Sequence, residues 1–274
     1  MKIKNILYAI AVIFAFVACI SLLSSMFSNR EQIPPVVPDE SDETPPTTEE
    51  KSPFEGLYIA FLGDGITTYD GYSNNPYYGH LSANKAYYPS AKSISAIDIP
   101  VNETYWYKTM DELSLKLSIN QSRWDEYYDI SSAEAYSKMI ASKVHKPDIV
   151  VVYVGTFDLL DVNNTSADRF YEYYGKLICN IQNNYPDAEI YLCNLIPCYF
   201  AIDKVSFLRS YNSIIRDLAE EEGCILVDFH NNSGITFDNM DDFIVDGCFP
   251  TTEGMERLSE VLTKTIKENS KYAK

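Results

Sequence analysis

Positive charge is scarce in this sequence. Its 274 residues include 22 lysines and arginines against 39 aspartates and glutamates, which gives a formal net charge of −17 at pH 7. Histidine is rarer still, with three residues in the whole chain. A strongly acidic chain repels the phosphate backbone of nucleic acids, so the composition argues against DNA or RNA as a partner. The scarcity of histidine leaves few candidates for a general base.

The cysteines lack the spacing of a metal site. Cys19 lies near the N-terminus, and the rest of the chain holds none of the C-x-x-C or Cys/His patterns that bind zinc. Several of the other cysteines lie in apolar runs, which favours buried thiols. A Cys198–Cys248 disulfide is a further hypothesis, because both residues follow strands that are predicted to end at one edge of a sheet. The other cysteines of the chain's main body are Cys179, Cys193 and Cys224.

One long hydrophobic run is present, at the N-terminus. Lys2 and Lys4 precede Ile6–Phe27, which is mostly apolar and uncharged. This length matches the ~20 residues that cross the hydrocarbon core of a bilayer. The preceding lysines predict a cytoplasmic tip and an exported body. We therefore predict that residues 1–29 are a cytoplasmic tip with a transmembrane signal anchor, which places the protein in the cell membrane as a single-pass protein.

Two alternatives to the signal anchor lead to the same side of the membrane. Phe16–Cys19 resembles a lipobox, which would make Cys19 the lipid-bearing N-terminus of a lipoprotein. Cleavage as a signal peptide is the other alternative, although the apolar run is longer than usual for that purpose. Residues 30–53 are rich in proline, acid and threonine, so we predict a disordered linker there. The folded domain is predicted to occupy residues 54–274.

Strand and helix patterns alternate through this domain. Helical periodicity is clearest in three segments, around Phe170–Ile181, Leu208–Ala219 and Thr251–Ile266, the last with Thr251 or Thr252 as its N-cap. Such alternation predicts an α/β fold with a parallel sheet covered on both faces. The long segment 70–112 fits the alternation poorly and is interpreted as an irregular insertion over one end of the sheet. The predicted strands are Leu57–Leu62, Leu113–Ile119, Asp148–Val154, Ala188–Ile196 and Cys224–Phe229.

Several short motifs occur in a suggestive order. They are GDGIT at Gly63–Thr67, LSINQSRWD at Leu117–Asp125, VVYVGTFDL at Val151–Leu159 and DGCFPTTEGMERLSEVL at Asp246–Leu262. In this order the motifs resemble the sequence blocks of the SGNH (GDSL) hydrolases. That resemblance implies a three-layer α/β/α sandwich, flavodoxin-like, with a central parallel sheet of about five strands. It also implies descent from esterases and acetylhydrolases, many of which act on acylated carbohydrates.

The catalytic positions of that family hold unsuitable residues in this chain. Gly65 stands at the position of the serine nucleophile, and Phe249 at that of the catalytic histidine. Phe157 stands at the position of the oxyanion-hole asparagine, and Asp125 at that of the oxyanion-hole glycine. Asp246, which in the family orients the histidine, is in place.

These departures remove the chemistry of acyl transfer. Glycine supplies no nucleophile, phenylalanine cannot accept a proton, and a carboxylate opposes the negative charge of an oxyanion. We therefore predict a catalytically inactive domain with a binding or scaffolding role at the cell envelope, with a carbohydrate or an envelope protein as partner. The alternative is an active esterase or deacetylase on acylated carbohydrates that uses relocated residues.

Aromatic and acidic residues make up what is left of the predicted pocket. Phe157 and Phe249 either fill the cleft or offer a stacking surface to a sugar, and filling is the preferred interpretation. Asp64 and Asp158 are expected to hydrogen-bond to the backbone of the site loops. The carboxylates lack EF-hand spacing, and we predict neither a metal nor another cofactor. The remaining pocket candidates are Gly65, Trp124, Gly155 and Asp246.

A relocated site would need a histidine beside a hydroxyl. His145 precedes the third strand and is expected at the opposite end of the sheet. His230 follows the fifth strand and is expected at the correct end, and His80 belongs to the insertion. The nearby hydroxyls are those of Thr67, Ser73 and Ser122.

Overall fold

A computed structural model describes most of the chain after residue 50. The described residues are 51–67, 99, 101–122, 128–138, 145–160, 163, 165–245 and 247–273. Within these ranges, no helix has the length and apolarity needed to cross a bilayer. Several sequence predictions lie outside the described residues. They concern the N-terminal anchor with its two alternatives and nearly all of the linker. They also concern the single residues Ser73, His80, Trp124, Asp125 and Asp246.

Five parallel strands form the main sheet of the described residues, in the order β2-β1-β3-β4-β5. Helices flank this sheet, and the three-layer α/β/α prediction is therefore confirmed. The carboxyl ends of the strands meet at one edge, where Gly63 of β1 pairs with Tyr153 of β3. The strands are β1 (Tyr58–Gly63), β2 (Lys116–Asn120), β3 (Ile149–Tyr153), β4 (Glu189–Cys193) and β5 (Ile225–Val227).

Residue type explains the central position of β3, and local backbone geometry explains where β2 begins. β3 reads IVVVY and is buried along its whole length, as expected of a central parallel strand between two helical layers. β2 begins at Lys116, not at Leu113 as predicted, because Leu113 caps the preceding helix and Ser114 adopts a positive φ of 59°. The rest of the predicted strand, from Lys116 onward, does lie in β2, which is an edge strand of the sheet.

The helices form two groups. Each of the longer helices buries one apolar face. In one group, α2 packs against α3 and α3 against α4; in the other, α1 packs against α7. Thr251 is the N-cap of α7, since its Oγ1 accepts a hydrogen bond from the Gly254 N–H at 3.2 Å. The helices are α1 (Tyr105–Glu112), α2 (Ile130–Ser137), α3 (Ala167–Asn184), α4 (Val205–Glu221), α5 (Phe229–Asn232), α6 (Met240–Phe243) and α7 (Thr252–Asn269).

Helix α1 corrects the prediction that segment 70–112 is irregular throughout. Tyr105, Trp106, Thr109 and Met110 are buried and recur at helical spacing. Thr109 Oγ1 accepts a hydrogen bond from Thr263 Oγ1 on α7 at 3.1 Å, which joins the two helices in the interior. The helix forms because this spacing gives it one face to bury, although its residue types are typical of strands.

Short elements complete the carboxyl edge. An antiparallel pair, β6 (Ile244–Val245) with β7 (Phe249–Pro250), lies just before α7. Two 3₁₀ helices, Phe157–Leu159 and Tyr199–Lys204, follow β3 and β4 respectively. These elements place Phe157, Phe200 and Phe249 at the edge where the family motifs lie.

The predicted Cys198–Cys248 disulfide is wrong. Both residues are buried and neither forms a disulfide, although the Tyr199 N–H donates to the Gly247 carbonyl at 2.8 Å and so joins the two segments. Burial raises the pKa of the Cys198 thiol to about 12, which keeps it protonated at neutral pH. Cys193 is the buried thiol that its apolar run predicted.

Candidate functional site

The loop after β1 is held in place by Asp64. Its carboxylate accepts hydrogen bonds from the backbone N–H groups of Ile66 and Thr156, each at 3.1 Å. The Asp64 N–H donates to the Tyr153 carbonyl at 3.2 Å. Burial raises the pKa of Asp64 to about 6, against the lowering effect of the backbone hydrogen bonds. Asp64 therefore joins the loop of Gly65 to the loop after β3, which is the structural role expected of it.

Two hydroxyls lie close to the end of β1. A Cβ atom on Gly63 would lie 2.3 Å from Thr67 Oγ1 and 3.0 Å from Ser122 Oγ, so a glycine is needed at this point. Thr67 Oγ1 hydrogen-bonds to the Tyr105 hydroxyl at 2.8 Å. Ser122 Oγ is buried and has no hydrogen-bond partner among the described residues. Neither hydroxyl pairs with a histidine in the described part of the chain, so no described histidine is placed to activate either of them.

The loop after β3 is tightly packed and holds a second buried acid. Gly155 has a φ of +120°, and a Cβ atom there would lie 2.8 Å from the Phe170 ring. Asp158 Oδ1 accepts a hydrogen bond from the Ile130 N–H at 3.1 Å, whereas its Oδ2 has no partner in the described residues. Burial raises the pKa of Asp158 to about 7, and the charges of Asp129 and Asp64 add to the rise. The buried carboxyl group of Asp158 therefore keeps its proton until the pH rises to about 7.

Three aromatic rings meet at this edge, and we call Phe157, Phe200 and Phe249 the phenylalanine cluster. The Phe157 ring centroid lies 6.3 Å from that of Phe200 and 6.5 Å from that of Phe249. Phe157 is 2% exposed and Phe249 is 3% exposed. The rings come from the loops after β3 and β4 and from β7, so side chains from three separate segments pack together at this edge.

The cluster includes one residue that sequence reasoning missed. Phe200 was not among the predicted site residues, and neither was Tyr105, which hydrogen-bonds to Thr67. The position of Phe200 shortly after the fourth strand could have predicted its place in the site, because the loops after neighbouring parallel strands lie at one edge of the sheet. Nothing in the local pattern indicated that Tyr105 would face the first loop.

The two described histidines lie at opposite ends of the sheet. His145 stacks on Tyr58, at the start of β1, with ring centroids 4.2 Å apart, which confirms its predicted place at the amino end. His230 lies at the start of α5, where its Nδ1 is 3.1 Å from the Leu195 carbonyl oxygen. The Ser118 hydroxyl donates to the His145 backbone carbonyl at 2.7 Å, whereas the His230 ring contacts a carbonyl oxygen.

The described site therefore offers aromatic packing and two buried acids. The predicted site residues that the structure describes lie in the connections at the carboxyl edge, including the 3₁₀ helix after β3, or in β7 beside it. They are Asp64, Gly65, Gly155, Phe157, Asp158 and Phe249. Trp124, Asp125 and Asp246 lie outside the described residues. Both oxygens of Asp64 and one oxygen of Asp158 accept hydrogen bonds from backbone N–H groups, which suits these acids to hold loops in place.

Comparison with known families gives one matching family model. The model of the GDSL-like Lipase/Acylhydrolase family matches residues 61–257, which include every described site residue. Among curated protein sequences, none matches this chain.

Several solved structures share the fold at low sequence identity. An acetylxylan esterase from Geobacillus stearothermophilus is 16% identical, with a TM-score of 0.56 over 78% of this chain and 96% of that chain. A lipase/acylhydrolase from Enterococcus faecalis is also 16% identical, with a TM-score of 0.55 over 77% of this chain and 96% of that one. A member of the lipolytic G-D-S-L family from Veillonella parvula is 11% identical, with a TM-score of 0.55 over 78% and 100%. At these identities the likeness concerns the fold alone.

Proposed function

This chain belongs to the GDSL-like lipase/acylhydrolase family, and we propose that it is a catalytically inactive member that binds or scaffolds at the cell envelope. The observation that supports this most strongly is the contact between Phe157 and Phe249. Two buried rings with centroids 6.5 Å apart belong to the residues that the motif resemblance aligns with the family's oxyanion-hole asparagine and catalytic histidine.

Each substitution removes a different requirement of ester hydrolysis. Gly65 has no atom that can attack a carbonyl carbon. Phe249 has no nitrogen to accept the proton that a nucleophile must lose. Phe157 provides no donor for the oxyanion, and the loss of one such donor typically costs ~100- to 1,000-fold in rate. The effects combine because the three groups act on the same transition state, so little catalysis is expected to remain.

The phenylalanine cluster also opposes binding of an ester in the former cleft. An acyl group would have to displace the almost fully buried rings of Phe157 and Phe249, at the cost of their packing contacts. We therefore place the binding function on the outer surface of the domain, with a carbohydrate or an envelope protein as partner. The N-terminal segment 1–29 would anchor the protein in the membrane, or Cys19 would do so as a lipidated residue, and segment 30–53 would hold the domain 54–274 away from the bilayer.

An active-site serine probe tests this proposal. The full-length chain, purified in detergent, is incubated with a fluorophosphonate probe beside an active serine esterase. We expect the esterase to be labelled and this chain to remain unlabelled, because Gly65 lacks a nucleophile and neither Thr67 nor Ser122 pairs with a described histidine. Ser122→Ala is the matched variant, since Ser122 Oγ is the buried hydroxyl nearest the end of β1 that has no described partner. Labelling of the chain that is lost in Ser122→Ala would favour the alternative, an esterase with a relocated nucleophile.

A further inference from the structure

A second cleft shares no lining residue with the phenylalanine cluster. It is formed between the loop after β4, the first turns of α4, and α5 with the segment that follows it, and its volume is about 290 Å³. Leu208, Ile235 and Phe237 give it apolar walls, and Arg209, His230 and Thr236 give it polar groups. This volume is at the lower end of ligand pockets, which suits a molecule of about one ring.

The charge of this cleft is opposite to that of the chain. No aspartate or glutamate is among its described lining residues, whereas the whole chain has a formal net charge of −17. The exposed Arg209 guanidinium takes part in no ion pair with a described carboxylate. An arginine without a protein carboxylate keeps its planar set of donors available for one from a ligand.

His230 is held in a fixed orientation in the same cleft. Its backbone N–H donates to Asn194 Oδ1 at 2.8 Å, and its ring Nδ1 lies 3.1 Å from the Leu195 carbonyl oxygen. Because a carbonyl oxygen only accepts, Nδ1 carries the hydrogen, and Nε2 is the nitrogen left for another partner. The nearest acid of this helix, Asp228, is already engaged by the side chains of Asn194 and Asn231.

We infer that this cleft binds a small organic carboxylate that has one apolar face. The Arg209 guanidinium would receive the carboxylate through paired charge-assisted hydrogen bonds, which are stronger than neutral ones. The apolar face would pack on Leu208 and Phe237, and a hydroxyl of the ligand would meet His230 Nε2 or the Thr236 hydroxyl. The inference goes beyond the proposed loss of catalysis and holds whether or not the former catalytic cleft is active.

Titration with matched charged and uncharged compounds tests the inference. The full-length chain is titrated calorimetrically with benzoate and glucuronate, and with benzamide and glucose as their uncharged counterparts. We expect at least one carboxylate to bind, and at least ten times more tightly than its counterpart. A preference for benzoate would identify an apolar acid as the ligand class, and a preference for glucuronate would identify an acidic sugar.

Two arginine variants of helix α4 locate the binding. Arg209→Gln should weaken carboxylate binding at least tenfold, whereas Arg216→Gln, about two turns further along the same helix and outside the cleft, should leave it unchanged. Thermal melting of both variants shows whether each is folded. The inference is overturned if neither carboxylate binds, if binding is unchanged in folded Arg209→Gln, or if Arg216→Gln weakens it equally.

Discussion

Asp158→Asn should make the stability of the protein much less sensitive to pH. Burial raises the pKa of Asp158 from 3.8 to about 7, so the folded state holds this proton more tightly than the unfolded chain does. The stability that comes from the neutral acid is fully present below pH 3.8 and is lost as the pH rises through about 7. Each unit of pKa shift corresponds to 1.36 kcal/mol, so the loss amounts to about 4 kcal/mol in the free energy of unfolding.

Asparagine is suitable for this test because it retains the shape of the aspartate side chain and its carbonyl oxygen. Its Oδ1 can accept the hydrogen bond that the Ile130 N–H now donates, and it has no proton to lose. Urea unfolding at a series of pH values from 4 to 8 measures the effect. We expect the free energy of unfolding of the wild type to fall by about 4 kcal/mol more than that of the variant over this range.

Asp129 provides a control of opposite sign. Burial acts to raise its pKa, but hydrogen bonds from Ser131 and Ser132 and the charge of Arg169 outweigh that effect and lower it. The stability that Asp129 contributes is therefore present above its unfolded pKa and is lost as the pH falls. Asp129→Asn should accordingly be most destabilising at neutral pH and least so in acid. Equal pH slopes in the wild type and Asp158→Asn would contradict the buried, protonated state of Asp158.

Phe157→Ala should cause a large loss of stability. The ring is 2% exposed and lies among Phe200 and Phe249, so its removal leaves a cavity at the meeting point of three segments. Truncation of a buried phenylalanine typically costs about 3–5 kcal/mol, from lost transfer free energy and from the cavity. Urea unfolding at a single pH measures this change.

Phe207→Ala is the matched control, because it removes the same side chain from a surface position. Phe207 is 45% exposed and its ring contacts Tyr211 alone among the described aromatic rings. We expect this variant to lose less than about 1 kcal/mol. If Phe157→Ala costs no more than Phe207→Ala, the phenylalanine cluster does not fill the former cleft, and the argument for inactivity loses its structural support.

The main sheet was predictable because its strands carry a strong local signal. A run such as IVVVY in β3 is apolar and β-branched, and this pattern is typical of a strand buried on both faces. Helix α1 was missed because Tyr105 and Trp106 favour strands locally, and their burial against α7 depends on tertiary contacts. The local pattern therefore failed where packing against a distant element decides the structure.

The candidate site was predictable in part for the same reason. Phe157 and Phe249 could be placed by motif, but Phe200 joins them only because β4 neighbours β3 in the sheet. The Cys198–Cys248 hypothesis shows the limit of such reasoning. The two segments do adjoin, yet chain proximity does not give two side chains the geometry of a disulfide.

Ester hydrolysis by the full-length chain tests most directly whether the domain is inactive. The chain is assayed in detergent with short acyl esters and acetylated sugars, beside a buffer blank and Ser122→Ala. We expect turnover that equals the blank for the wild type and the variant alike, because the side chains at Gly65, Phe157 and Phe249 supply neither nucleophile, hydrogen-bond donor nor base. Reproducible turnover above the blank, abolished by His230→Ala, His80→Ala or Ser122→Ala, would show that this member of the family hydrolyses esters through residues in new positions.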